Sequence, residues 1–130
     1  MLAIKMKPLI TLIGCGKMGS AMLRGWLGDS TLEADFIIVE PMQDYLGWTA
    51  AHDNVTLTDS LVSASAIGRS ASMIVLAVKP QMMAEAIAGL GELADVNTAF
   101  LSIAAGIPTR WFTKMLGGDA LVLRSMPNTP

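Results

Sequence analysis

The residues of this chain best suited to chemistry are glycines. Gly14-Cys15-Gly16-Lys17-Met18-Gly19 is a G-x-G-x-x-G run. Where a strand ends at the first glycine and a helix opens on the run, this spacing binds a dinucleotide. The first glycine permits a tight turn, the second lets the backbone approach a pyrophosphate, and the third lets helix pack on strand. Free N–H groups of the first helical turn then face the anion. An ordinary glycine-rich turn is the alternative, and the flanking strand and helix argue against it. Glu40 follows Gly19 by about 20 residues, at the end of the next predicted strand, where an acidic side chain accepts hydrogen bonds from the adenosine ribose. A 2′-phosphate would be repelled there, and neighbouring Pro41, Met42 and Gln43 bring no cation, so Glu40 favours NADH over NADPH. Lys17 can reach a phosphate or extend into water. Cys15 has no base in the sequence around it that would make it a nucleophile, and it reads as small filler. His52, the single histidine, stands beside Asp53 in a polar segment and reads as surface.

These residues need elements to position them. Leu9–Ile13 is a continuous apolar run stopped by Gly14, which predicts a strand buried on both faces. From Lys17 to Leu27, Met18, Met22 and Trp26 recur every four residues on one helical face, and Gly28 closes the helix. Phe36–Val39 is a second strand, broken after Glu40 by Pro41. A short helix over Asp44–Ala51, a third strand at Val55–Leu57 and a helix over Ser60–Ile67 are expected next. Met73–Val78 is six apolar residues in a row, a central strand that delivers Lys79 and Pro80. Met83, Ile87, Leu90 and Ala94 share a helical face. Thr98–Ile103 is a fifth strand, Pro108 starts a helix that Gly117 and Gly118 stop, and Ala120–Leu123 is the last strand. Strand and helix alternate, which predicts an α/β, doubly wound (Rossmann-like), mostly parallel sheet with helices on both faces. Right-handed crossovers gather all the strand-to-helix turns on one edge, where such sheets bind ligands.

Composition narrows the partners. The 130 residues are 52% hydrophobic and 15% charged, enough to bury the core of one domain. A formal charge of -2 leaves no broad cationic surface for nucleic acid. No apolar run reaches the roughly 20 residues of a membrane span, and no signal-peptide core interrupts the N-terminal lysines. One cysteine and one histidine exclude a disulfide framework and the usual four-ligand zinc sets, so no metal site is expected and the cytoplasm fits best.

Three further strand ends carry a resemblance: Ala77-Val78-Lys79-Pro80-Gln81, Ser102-Ile103-Ala104-Ala105-Gly106, and Arg124-Ser125-Met126-Pro127-Asn128-Thr129-Pro130. With the glycine run, they resemble the pyrroline-5-carboxylate reductase family from Ile10 to Pro130. The resemblance implies hydride transfer from NADH or NADPH to the C=N carbon of Δ1-pyrroline-5-carboxylate, giving L-proline. It implies that Ile13, Gly14, Cys15, Gly16, Lys17 and Met18 hold the dinucleotide phosphates. Ala77, Val78, Lys79 and Pro80 would line the cofactor, Ile103, Ala104 and Ala105 would flank the nicotinamide, and Met126, Pro127 and Asn128 would approach it. No residue is expected as a catalytic acid, base or nucleophile, because a cyclic iminium is already electrophilic and needs mainly to be oriented.

Lys17 stands where the family often has Asn, Ser72 where an Asp commonly precedes the fourth strand, and Glu40-Pro41 lacks the Ser/Arg-like character that goes with NADPH. Family members continue into an all-helical second domain that builds a homo-oligomer and much of the imino-acid pocket. Residues 1–130 thus read as a dinucleotide-binding domain alone, expected to turn substrate over weakly or not at all, with an apolar surface where the helical domain would dock. A related imine, β-hydroxy-acid or deazaflavin-linked oxidoreductase and a non-catalytic nucleotide-binding module are the alternatives.

Overall fold

The computed structural model describes residues 7–125. Six parallel strands form one sheet in the order β3-β2-β1-β4-β5-β6. They are β1 (Leu9–Ile13), β2 (Asp35–Val39), β3 (Val55–Thr58), β4 (Met73–Leu76), β5 (Ala99–Ser102) and β6 (Leu121–Arg124). The helices are α1 (Lys17–Leu27), α2 (Leu61–Ser65), α3 (Met83–Ala88) and α4 (Thr109–Leu116), with 3₁₀ turns at Gly47–Ala51, Pro80–Met82 and Gly91–Leu93. The strand order reverses at β1, which has β2 on one side and β4 on the other. The crevice beyond the carboxyl ends of β1 and β4 is therefore the topological switch point, where ligands of such sheets bind.

Side chains alternate across the strands and build a core on each face. On one, Leu12, Phe36, Ile38 and Val75 pack with Leu23 of α1 and Leu46. On the other, Leu9, Ile13, Ile37, Ile74, Leu76 and Phe100 meet Ala64 of α2, Met83 and Ile87 of α3, and Phe112 of α4. Each fully buried Leu, Ile or Phe contributes roughly 1.5–3 kcal/mol relative to exposure. The edge strand β6 leaves its alternate residues Leu121 and Leu123 exposed. Among the described residues, no helix is long and apolar enough to cross a membrane.

On α1 the expected face holds, with half-buried Met22 and Trp26 packed against the core beside the buried Gly19 and Leu23. Trp26 lies flat against Phe36, with ring centroids 6.0 Å apart. The departures from sequence expectation have physical causes. The expected helix over Asp44–Ala51 is only a 3₁₀ turn at its second half. Ser60 stands outside α2 as its N-cap, accepting from Ser63 N–H at 3.1 Å, and the helix stops at Ser65. β4 ends at Leu76 rather than Val78, because its neighbours β1 and β5 offer register partners only that far, at Ile13 and Ser102. The helix after it ends at Ala88, and Gly89 packs so closely on Leu61 that a Cβ there would lie 2.6 Å from Leu61 Cδ1.

Two buried threonines make opposite demands. The Thr98 hydroxyl donates to Ala71 O at 2.7 Å and accepts from Asp95 N–H at 2.9 Å. Thr11, also buried, shares the face of Leu9 and Ile13 and its hydroxyl has no partner. An unpaired buried hydroxyl costs about 1–3 kcal/mol, whereas deleting a satisfied one strands its partners. Urea denaturation should show Thr11→Val to be neutral or up to about 1 kcal/mol more stable, and Thr98→Val to be about 1–3 kcal/mol less stable.

Candidate functional site

Gly14 leaves β1 with φ +88°, a conformation that side chains rarely adopt, and a Cβ there would lie 2.9 Å from the Ala77 carbonyl oxygen. A Cβ on Gly19 would stand 2.9 Å from the Gly14 carbonyl oxygen. The β1 turn, the end of β4 and the first turns of α1 are thus in backbone contact, which only glycine permits at these two places. Gly16 differs: its φ is -76°, and a Cβ there would meet nothing within 4 Å. Gly16 caps α1 without a side-chain bond, and the first turn carries no acidic residue. The N-terminus of α1 therefore presents N–H groups and its dipole to open space, the requirement for holding an anion such as a pyrophosphate. The fit of these residues to a dinucleotide rests on this open cradle.

Glu40 closes the turn from the side of β2. Its Oε1 accepts from Cys15 N–H at 2.8 Å and its Oε2 from Met42 N–H at 3.2 Å. Its backbone N–H donates to Thr58 O, and Gln43 Nε2 donates to its carbonyl oxygen, both at 2.9 Å. The carboxylate expected to face a ribose also latches the glycine turn. Cys15 is buried beneath the turn, with its Sγ 3.5 Å from Ser20 Oγ. Burial pushes the thiol above its ordinary value, the Ser20 hydrogen bond pulls it down, and the Glu40 charge raises it again. The net rise keeps Cys15 protonated at neutral pH, in line with filler rather than nucleophile.

The other strand ends arrive at the same edge. Ala77 N–H donates to Ile13 O at 2.8 Å, and Ile103 N–H to Leu76 O at 3.2 Å. Lys79 is extended and exposed ahead of the Pro80–Met82 turn. Ala104 is buried and its N–H donates to Ser102 Oγ at 3.3 Å, while Ala105 is exposed. Ile13 and Ala104 can therefore offer a ligand only backbone. Met18 is half-buried in α1. Met126, Pro127 and Asn128 lie outside the described residues. His52 is half-buried and set edge-on to Trp48.

A cavity of about 600 Å³ opens beside the glycine turn, between α1 and the segment after β2. Lys17, Arg24, Glu40, Met42, Tyr45 and Trp48 are among its lining residues. Arg24, Tyr45 and Trp48 were not singled out from sequence. Arg24 was detectable, since it stands seven residues after Lys17 and hence on the same side of α1. Trp48 was not, because only the tertiary fold lays its ring 3.9 Å from the Arg24 guanidinium carbon. The absence of cations beside Glu40 in sequence is thus corrected: Lys17 and Arg24 reach the same cavity from α1. A second cavity, about 550 Å³, lies by the loops leading into β5 and β6, among Leu90, Val96, Met115 and Asp119, and receives none of the glycine-turn residues.

The chain matches the family described as "NADP oxidoreductase coenzyme F420-dependent" over residues 9–106. It is 32% identical over 126 residues to pyrroline-5-carboxylate reductase of Escherichia coli strain K12, a match covering 96% of this chain and 46% of that one. The chain thus spans about half the length of that curated relative. A solved pyrroline-5-carboxylate reductase from Coxiella burnetii superposes with a TM-score of 0.73 at 27% identity, over 93% of this chain and 44% of the other. The fold is also that of the Plasmodium falciparum pyrroline carboxylate reductase with NADP bound, with a TM-score of 0.72, 22% identity, and coverage of 95% and 43%.

Gly14→Ala and Gly16→Ala separate fold from site. The first should lower thermal stability measurably, because it places a Cβ against Ala77 O with φ positive. The second should leave the melting temperature close to wild type while weakening anion binding at the turn in calorimetry. Alkylation of Cys15 by iodoacetamide should be slow at neutral pH and accelerate only above the ordinary thiol range; rapid labelling at pH 7 would contradict the buried, protonated thiol.

Proposed function

Because the chain belongs to the NADP oxidoreductase, coenzyme F420-dependent family, we propose that it is the dinucleotide-binding domain of a pyrroline-5-carboxylate reductase. One observation carries the dinucleotide part of this reading: the β1 turn, Glu40 and the end of β4 meet at the switch point around a cradle left open at Gly16. Similarity to pyrroline-5-carboxylate reductases over nearly the whole chain supports the substrate.

Gly16, Lys17 and Met18 would hold the pyrophosphate through backbone N–H groups and the Lys17 ammonium, on a turn that Gly14 and Cys15 fix by giving their own N–H groups to Val39 O and Glu40 Oε1. Gly19 would let α1 approach close enough to aim them. Glu40 would fix the turn and receive the adenosine ribose. Ala77, Val78, Lys79 and Pro80 would wall the crevice on the β4 side, and Ile103, Ala104 and Ala105 on the β5 side. Met126, Pro127 and Asn128 would follow on from β6 toward the nicotinamide. A bound NADH or NADPH supplies the hydride that reduces the C=N carbon of Δ1-pyrroline-5-carboxylate to L-proline. The substrate iminium already carries its proton, so these residues orient and exclude water rather than exchange protons. The imino-acid pocket and the contacts that make a homo-oligomer belong, on this reading, to the part of the relatives that this chain does not span. On this reading the reaction would take place in the cytoplasm.

Glu40 tips the choice between nucleotides toward NADH, since its charge opposes a 2′-phosphate. Parallel calorimetric titrations of NADH and NADPH at one ionic strength test the site, with saturable one-to-one binding expected and no binding of either removing the reading. Replacing Glu40 by Ser together with Pro41 by Arg should weaken binding overall, because Cys15 N–H loses its acceptor, while shifting the ratio of dissociation constants toward NADPH. An unchanged or stronger NADH preference would show that Glu40 does not set it. Nucleotide oxidation that depends on added Δ1-pyrroline-5-carboxylate, with proline formed in equal amount by the protein purified from its own cells, tests the substrate.

A further inference from the structure

Arg24 has no part in the glycine turn, yet it is the most fixed of the cations near it. Its guanidinium carbon lies 3.9 Å from the centroid of the Trp48 ring, a cation–π contact that holds a long and otherwise mobile side chain in one place. Among the described residues the ion pair formed is Arg69 with Asp35, so neither Arg24 nor Lys17 is neutralised by a carboxylate. Both line the cavity that Glu40 lines. Seven residues of helix separate them, which is about 10 Å along the axis. Lys17 stands in the first turn of α1, where a pyrophosphate would sit. Arg24 stands two turns further on, beside Met42, Tyr45 and Trp48 from the segment after β2. That separation, with the guanidinium held on Trp48, sets Arg24 apart from the N-terminus of α1 and on the part of the cavity lined by the segment after β2.

We infer that Arg24, held by Trp48, is a specificity-determining residue that receives a phosphate on the adenosine ribose and offsets the repulsion from Glu40. This inference rests on the dinucleotide reading above and deepens it. A planar guanidinium stacked on an indole keeps N–H donors at its edge, the geometry suited to phosphate oxygens. Glu40, for its part, already accepts from Cys15 N–H and Met42 N–H, which spreads its charge over two donors. Cofactor choice then depends on a balance between one carboxylate and one cation on different elements, and the site accepts NADPH although Glu40 leans toward NADH.

The test uses two probes that differ only in the 2′-phosphate, adenosine 2′,5′-bisphosphate and adenosine 5′-monophosphate, titrated calorimetrically into the 130-residue chain. Arg24→Gln should weaken the bisphosphate about tenfold or more and leave the monophosphate nearly unchanged. Arg24→Lys should recover part of the loss, since it keeps the charge but not the planar fork. Lys17→Gln should weaken both probes alike. The NADH to NADPH preference should widen in Arg24→Gln by the same factor as the bisphosphate loss. Equal loss of both probes in Arg24→Gln, or no loss of either, overturns the inference while leaving the dinucleotide site standing. Failure of the monophosphate, NADH and NADPH alike to bind wild type removes that site and the inference together.

Discussion

The close approach of three backbones at Gly14 is the constraint on which the rest of this molecule depends. Its carbonyl oxygen lies where a Cβ of Gly19 would crowd it, and its own missing Cβ leaves room for the carbonyl of Ala77. The contact brings α1 down onto the end of β1 and joins it to the end of β4. With a side chain at either glycine, the helix N-terminus would be pushed off the sheet. The open space at Gly16 would then no longer stand over the switch point between β1 and β4. Anion binding at such a place is a property of backbone geometry, so side chains around it are left to decide which anion and what else is attached to it.

Glu40 shows how one side chain can serve both roles. Its carboxylate ties the glycine turn to β2 through Cys15 N–H, and it carries the negative charge that a ribose substituent must meet. Structure and selectivity are thus coupled in a single residue. The buried Cys15 beneath it is drawn into the same arrangement, its thiol held protonated chiefly by burial, with the Glu40 charge acting in the same direction and the Ser20 bond against it. Across the cavity, Arg24 and Trp48 form a second unit that owes nothing to the turn.

Stability is supplied from elsewhere. Two apolar layers flank the sheet, one built mainly on α1 and the other on α2, α3 and α4. Most of their buried side chains lie away from the strand-end turns, and the turn residues contribute backbone more than core. This division lets the crevice residues vary in charge at little cost to the fold, as loops on a rigid scaffold generally do. Among the described residues the buried hydroxyl left without a partner is that of Thr11 in β1, on the face it shares with the apolar Leu9 and Ile13.

The alternation of apolar runs with helical spacing determined the parallel sheet, and the glycine spacing determined the turn and the exact span of α1, Lys17–Leu27. These are local signals: chain stiffness, side-chain period and the φ that glycine alone tolerates act within a few residues. On α1 the face of Met18, Met22 and Trp26 was legible from its four-residue repeat, and Met22 and Trp26 pack against the core that holds Leu23. Sequence period does not say how deeply each residue of a helix sits; the close packing of Gly19 on Gly14 draws the first turns down onto the sheet. The end of β4 was likewise set by where its neighbours run out, not by its own apolar residues. Sequence placed Glu40 at a strand end and saw no cation beside it in the chain. Only the tertiary structure brought Lys17 and Arg24 to the same cavity and laid Arg24 on Trp48, because contacts between elements distant in sequence are made by packing, and packing leaves no period to read.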